Sequence, residues 1–153
     1  MDWIEIALRL FAATLIGGAL GLNRDLHGKP TGVRTLGLVG LGSGLVVVAA
    51  LNEVPAGANH FDAASRIIQG LMTGIGFLGA GVIVHGAANT RVHGLTTAAC
   101  VWLTACLGAV CGFARPTFIA IALVLTFVVL IVGGPVERFF HARLPQTDVD
   151  PTP

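Results

Sequence analysis

The stretch GIGFLGAGVIV, residues 74–84, carries the pattern G-x-G-x-x-G at Gly74, Gly76 and Gly79. The same spacing occurs in dinucleotide-binding turns, where a strand precedes it and an acidic residue follows about 20 residues on. Neither condition is met. The glycines lie inside an apolar run over 67–84, and no Asp or Glu occurs between Asp62 and Glu137. Nucleotide binding is therefore excluded. Small residues have another use in an apolar helix: within lipid, helices associate by close backbone approach, which glycine permits. Gly70, Gly74 and Gly81 fall on one helical face, at offsets of four and seven.

The rest of the chain supports a membrane setting. Its 153 residues are 54% hydrophobic and only 11% charged, with mean hydropathy +0.83. Soluble domains carry about 25% charged residues. Five apolar stretches, 3–22, 33–51, 67–84, 94–114 and 117–134, approach the length of about 20 residues that a bilayer requires. The opening segment is acidic, and Arg9 interrupts its apolar run, so it reads as an uncleaved first span rather than a secretory signal. The expected fold is all-α, a polytopic membrane bundle of about five transmembrane helices over residues 1–144, followed by a disordered tail over 145–153. Residues 52–65 are expected to form a surface loop or short helix, and residues from Pro135 an interfacial helix with Phe139 and Phe140.

Basic residues set the expected orientation. Arg24, Lys29, Arg34, Arg91, Arg138 and Arg143 fall on one side of five helices, against Arg66 and Arg115 on the other. This places the N-terminus outside and the C-terminus in the cytoplasm. Small residues recur on other spans too: Gly17 and Gly21, Gly40 and Gly44, then Thr96, Cys100, Thr104 and Gly108 at steps of four. The first four spans are expected to form a tight bundle. The fifth, polar only at Thr126, is expected to be peripheral and to face lipid. Cys100, Cys106 and Cys111 lie in one apolar helix without a C-x-x-C spacing and read as small packing residues.

Polar groups within spans need partners. Gln69 and Thr73 on the third span, and Thr96 and Thr97 opening the fourth, either bond across helices or line a polar cavity. Glu5 and Arg9 are four apart, in the favourable order for an intrahelical pair. The first loop concentrates Asn23, Arg24, Asp25, His27, Lys29, Arg34 and Thr35. It reads either as an ordinary positive loop or as a docking surface for a phosphate, lipid headgroup or partner. His27, His85 and His93 lie near the same rim without a consistent metal-ligand spacing. Magnesium is usually held by carboxylates and water, yet the second to fifth spans contain no Asp or Glu. There is no P-loop and no hydrolase-like triad.

Two blocks resemble the MgtC/SapB family of membrane proteins. They are GLNRDLHGKPTGVRTLGLVGLGSGL, residues 21–45, and the longer run over 65–112, in which GIGFLGAG is followed by GLTTAACVW. The resemblance covers residues 3–134. It implies a bacterial inner-membrane bundle of about five helices, associated with growth under magnesium limitation, acid tolerance and, in pathogens, survival inside macrophages. The family's best-known member is similar to an inhibitor of the proton-driven ATP synthase rather than to a demonstrated magnesium transporter. The motif positions map onto Arg24, Gly32, Arg34 and Thr35, and onto Arg66, Gln69, Gly74, Gly76, Gly79, Gly81, Gly94, Thr96, Thr97 and Trp102. Asn23 and Asp25 stand where the family commonly has glutamates, which weakens a metal-site reading. Longer members carry a soluble domain after the last span, for which the residues here leave no room, so the chain resembles the SapB-like branch.

The expectation is a non-enzymatic membrane protein without cofactor, metal or nucleic-acid partner. It would regulate or bind a membrane partner such as ATP synthase, with lipid around it, and form a homodimer. Arg24, Asp25, Arg34, Thr35, Arg66, Gln69, Thr73, Thr96 and Thr97 are the candidate binding residues. Gly70, Gly74, Gly76, Gly79, Gly81 and Gly94 are the candidate packing residues. The rival is a small-solute or cation (Mg²⁺) transporter or channel lined by Gln69, Thr73, Thr96 and Thr97, with backbone carbonyls as oxygen ligands.

Overall fold

The computed structural model describes residues 1–54, 60–83 and 93–141. They form five helices, α1 (Trp3–Leu26), α2 (Val33–Glu53), α3 (His60–Val82), α4 (Leu95–Gly112) and α5 (Pro116–His141). No strand occurs among the described residues. The chain divides into two compact units, Met1–Ile119 with α1 to α4 and Ala120–Pro153 with most of α5.

The all-α expectation holds, with one difference in the spans. Four helices are long and apolar enough to cross a bilayer: α1, α2, α4 and α5 up to Val136. The exception is α3. It begins at His60, inside the stretch expected to be a surface loop or short helix, and takes in Asp62, Arg66, Gln69 and Thr73. α5 runs on through Pro135 as a single helix to His141. Arg91, His85, Arg143 and the tail from Pro145 lie outside the described residues, as do the side chains of Arg138, Phe139 and Phe140.

Helix ends follow local chemistry. Asp2 caps α1 by accepting a hydrogen bond from the Trp3 amide at 2.7 Å. At the far end of α4 the chain turns through Ala114 at φ 53°. The Ala114 amide reaches the Cys111 carbonyl at 2.9 Å, and the Arg115 amide reaches Val110 at 3.4 Å. This is a Schellman ending with alanine where glycine is favoured. Pro116 then opens α5, at a position where its missing N–H costs nothing.

The core is a three-helix junction. α1 runs opposite to α2, and α2 runs in the same sense as α4. A methyl group added at Gly40 would fall within 3.0 Å of the Ala13 carbonyl oxygen, and one at Gly108 within 3.0 Å of the Gly40 carbonyl oxygen. One at Gly44 would stand 3.2 Å from the Gly108 carbonyl oxygen. Three backbones thus meet at Ala13, Gly40, Gly44 and Gly108, with the Ala13 methyl group seated against Gly44. Gly17 abuts the Leu36 carbonyl, Gly21 the backbone of Gly32 and Val33, and Gly112 the side chain of Val47. Leu20, Leu36, Val47 and Leu107 fill the space around this junction. Thr104 is also buried, and its hydroxyl donates to the Cys100 carbonyl of its own helix at 2.7 Å.

α3 lies against α4 in the opposite sense. Cys106 Sγ is 3.8 Å from Met72 Sδ, and Gly79 faces Ala98. The glycines of α3 make little contact within the described residues. No described atom lies within 4 Å of a methyl group placed at Gly70, Gly74, Gly76 or Gly81, and one at Gly79 would make only ordinary contact. These glycines do not pack the chain against itself, because only the Ile75 side of α3 turns inward. Gly94 serves a turn instead. It has φ +95°, and a methyl group there would strike the Val82 carbonyl. The tight bundle is therefore three helices, α1, α2 and α4, rather than the first four.

Two outcomes test this packing by thermal unfolding in detergent. Gly108→Leu drives a side chain into the Gly40 backbone and should cost on the order of 3 kcal/mol, whereas Gly74→Leu should leave the midpoint unchanged. Ala114→Gly relieves a left-handed alanine and should raise stability by about 1 kcal/mol.

Candidate functional site

The densest polar geometry lies where α1 turns into α2. α1 closes with Gly28 at φ +62°. The Lys29 amide bonds to the Arg24 carbonyl and the Gly28 amide to the Asp25 carbonyl, each at 3.0 Å, a second Schellman ending. Thr31, at φ 63°, is held in the same conformation without glycine's freedom, and its hydroxyl donates to the Pro30 carbonyl at 2.6 Å.

Two adjacent residues then fix this turn from opposite sides. Asp25 faces outward, and its Oδ2 accepts from the Val33 amide at 3.0 Å. Val33 is the first residue of α2, whose cap, Gly32, has no side chain to offer. The carboxylate of the preceding helix thus supplies both the missing cap and a negative charge at a positive helix end. Gly32 is required for this, because a methyl group there would overlap the Asp25 carboxylate.

Arg24 faces inward and is only 3% exposed. Its Nε donates to the Pro30 carbonyl at 3.1 Å and to Thr31 Oγ1 at 3.2 Å. Its Nη2 donates to the Pro30 carbonyl at 3.0 Å and to Thr97 Oγ1. Its Nη1 lies 3.3 Å from Cys100 Sγ. Thr97 and Cys100 are one turn apart on α4, so one guanidinium joins α1, the turn and α4. None of these partners is an acid. A buried cation is costly unless it is paired or fully hydrogen-bonded, and here neutral acceptors do the bonding. With its donors engaged inside the protein, Arg24 is a structural tie rather than an open anion cradle.

Of the other candidate residues, Arg34, Thr35 and Thr96 are exposed. Arg66 is exposed and pairs with Asp62 at 3.3 Å. Gln69 donates from Nε2 to Ser65 Oγ at 3.3 Å, and Thr73 donates to the Gln69 carbonyl at 2.9 Å. The structure thus joins Arg24 with Thr97 and places Asp25 beside them. It leaves Gln69 and Thr73 on the outer face of α3, so the four residues proposed to line one path do not share one within this chain. Among the described residues no group of three His, Cys, Asp or Glu side chains could hold a metal ion.

A second arginine tie lies at the opposite end of α1. Arg9 pairs with Glu5, as the spacing predicts. Instead of extending outward, it also donates from Nη1 to the Gly112 carbonyl at 2.6 Å. That carbonyl is one of the unpaired groups at the negative end of α4. Sequence reading missed Gly112, Pro30 and Cys100 as arginine partners. Backbone and thiol acceptors leave no pattern in the sequence; the only signal was a basic residue within an apolar run.

The chain as a whole has counterparts among known proteins. The model of the MgtC family matches residues 10–139. The chain belongs to the MgtC family. It is 46% identical over 118 residues to Protein SrpB of Synechococcus elongatus, covering 72% of this chain and 65% of that protein. It is 35% identical over 154 residues to Protein SapB of Bacillus subtilis, covering 95% and 64%. It is 39% identical over 111 residues to the putative magnesium transporter YhiD of Escherichia coli K12, covering 71% and 51%. The chain thus spans less than two thirds of each of these MgtC-family relatives. No solved structure matches it. Family membership and the four apolar helices make this a membrane protein.

The Arg24 tie has a measurable energetic signature. Thr97→Val should cost about 1–3 kcal/mol by leaving a buried donor unmatched. In an Arg24→Met background the same change should cost much less, and a double-mutant cycle in detergent reads the coupling directly.

Proposed function

We propose that this MgtC-family chain is a non-enzymatic component of the bacterial inner membrane that binds and regulates a membrane-protein partner. ATP synthase is the example the family resemblance supplies, and the setting is adaptation to low magnesium, acid or host stress. One observation carries the reading: the outward face of α3. The exposed faces of α1 and α2 present large apolar residues, among them Leu8, Phe11, Leu15, Leu38 and Leu45. Lipid suits such side chains. α3 adds polar and small residues to its exposed apolar ones: Arg66, Gln69, Gly70, Thr73, Gly74 and Gly81 face outward beside Ile68, Phe77 and Leu78. Polar groups at membrane depth face protein or water, not acyl chains, and glycine faces admit another backbone. The distribution of basic residues supports an external N-terminus and cytoplasmic C-terminus.

The name of YhiD keeps magnesium transport as a second reading, with Gln69, Thr73 and backbone carbonyls along the path. The two readings separate experimentally. Purification from native membranes in mild detergent should retain a membrane-protein partner with the wild type and lose it with Gly74→Leu. Magnesium flux into liposomes containing the pure protein, abolished by Gln69→Ala or Thr73→Val, would overturn the regulatory reading.

A further inference from the structure

We propose that α3 is a lever, which pivots as one rod about its contact with Gly94 while α1, α2 and α4 stay fixed. The joint is backbone against backbone. Gly94 has φ +95°, and a methyl group there would fall 2.5 Å from the Val82 carbonyl oxygen and 3.5 Å from Ile83 Cα. One turn back along α3, a methyl group at Gly79 would stand 3.8 Å from the Ala98 methyl. Contact then fades. No described atom of another helix lies within 4 Å of such a group at Gly76, Gly74 or Gly70. Met72 meets Cys106 through two sulfurs 3.8 Å apart, and a flexible thioether gives way easily in such a contact.

Burial and hydrogen bonding set α3 apart in the same way. Ile75 is its one buried residue among those described, against five in α1, seven in α2 and ten in α4. The side-chain hydrogen bonds of Arg66, Gln69 and Thr73 all end within α3. In the core, by contrast, Arg9 and Arg24 bond α1 to α4. The Met1 amine donates to Asn52 Oδ1 at 3.2 Å, tying the start of α1 to the end of α2. Elements with few buried contacts move first, and residues at element ends absorb the change. Ile68 lies 14 residues from Val82 and Leu78 lies four, or about 21 Å and about 6 Å along the helix. A tilt of about 10°, small within the range open to membrane helices, therefore moves Ile68 by about 4 Å and Leu78 by about 1 Å. The result is a wedge between α3 and α4 that opens at the Met72 end and stays shut at Gly94. This freedom belongs to the chain itself, whatever meets the outward face of α3.

Pulsed electron–electron double resonance tests this on the full chain in lipid nanodiscs. Spin labels attached through p-acetylphenylalanine leave the native cysteines untouched. Ile68 and Leu78 on α3, Leu8 and Leu22 on α1, and Leu45 on α2 are all exposed. Distances are read between Ile68 and Leu8, between Leu78 and Leu22, and, within the core, between Leu45 and Leu8. The Ile68–Leu8 distribution should be at least twofold wider than either of the others. Gly94→Ala, which removes the joint and leaves the core intact, should broaden the Leu78–Leu22 distribution by a similar factor and leave Leu45–Leu8 unchanged. Equal widths for all three pairs, or equal widths at Ile68 and Leu78 in the wild type, would overturn the pivot. So would a Leu78–Leu22 distribution indifferent to Gly94→Ala. The wild-type widths decide the matter even where that variant does not fold.

Discussion

Contact between bare backbones at Ala13, Gly40, Gly44 and Gly108 is the constraint from which the rest follows. Lipid tails are as apolar as leucine, so burial of apolar surface does little to draw helices together in a membrane. What remains is dispersion and hydrogen bonding at short range, and both require close approach. Where three helices share one junction, their relative heights and rotations are set. Gly17, Gly21 and Gly112 extend the same contact toward the two ends.

That alignment decides what the two arginines of α1 can reach. Residues 9 and 24 are about 22 Å apart along a helix, close to the length of α4. Arg9 therefore meets the carbonyl end of α4 and Arg24 its amide end. The first contact is favoured by the helix dipole and the second is opposed by it. Arg24 persists there because the turn after α1 brings the Pro30 carbonyl and the Thr31 hydroxyl onto the guanidinium beside Thr97. Asp25 completes the turn by capping α2. Two neighbours in sequence thus do different work, one by charge turned inward and one by charge turned outward.

The glycines divide into two populations. Those of α1, α2 and α4 meet a neighbouring backbone or side chain, apart from Gly42. Those of α3 stand open, apart from Gly79, which touches Ala98. The same residue type thus stands in two settings, closed against this chain in one and open to the surroundings in the other.

The sequence by itself determined the membrane class, the helical architecture, the family and the residues able to pack closely, because composition, run length and spacing are local properties that lipid reads directly. It also singled out Arg24, Asp25, Thr97 and the Glu5–Arg9 pair. It could not say which glycines would be closed: Gly40 and Gly74 lie in equally apolar surroundings, and only the packing of α1, α2 and α4 against one another separates them. Nor could it show that Arg24 is bonded by a carbonyl, hydroxyls and a thiol, or that Asp25 caps α2. Those are contacts between residues far apart in the chain or across a turn. They exist only once the helices are set at a given height and rotation, which is a property of the assembled backbone rather than of any segment of it.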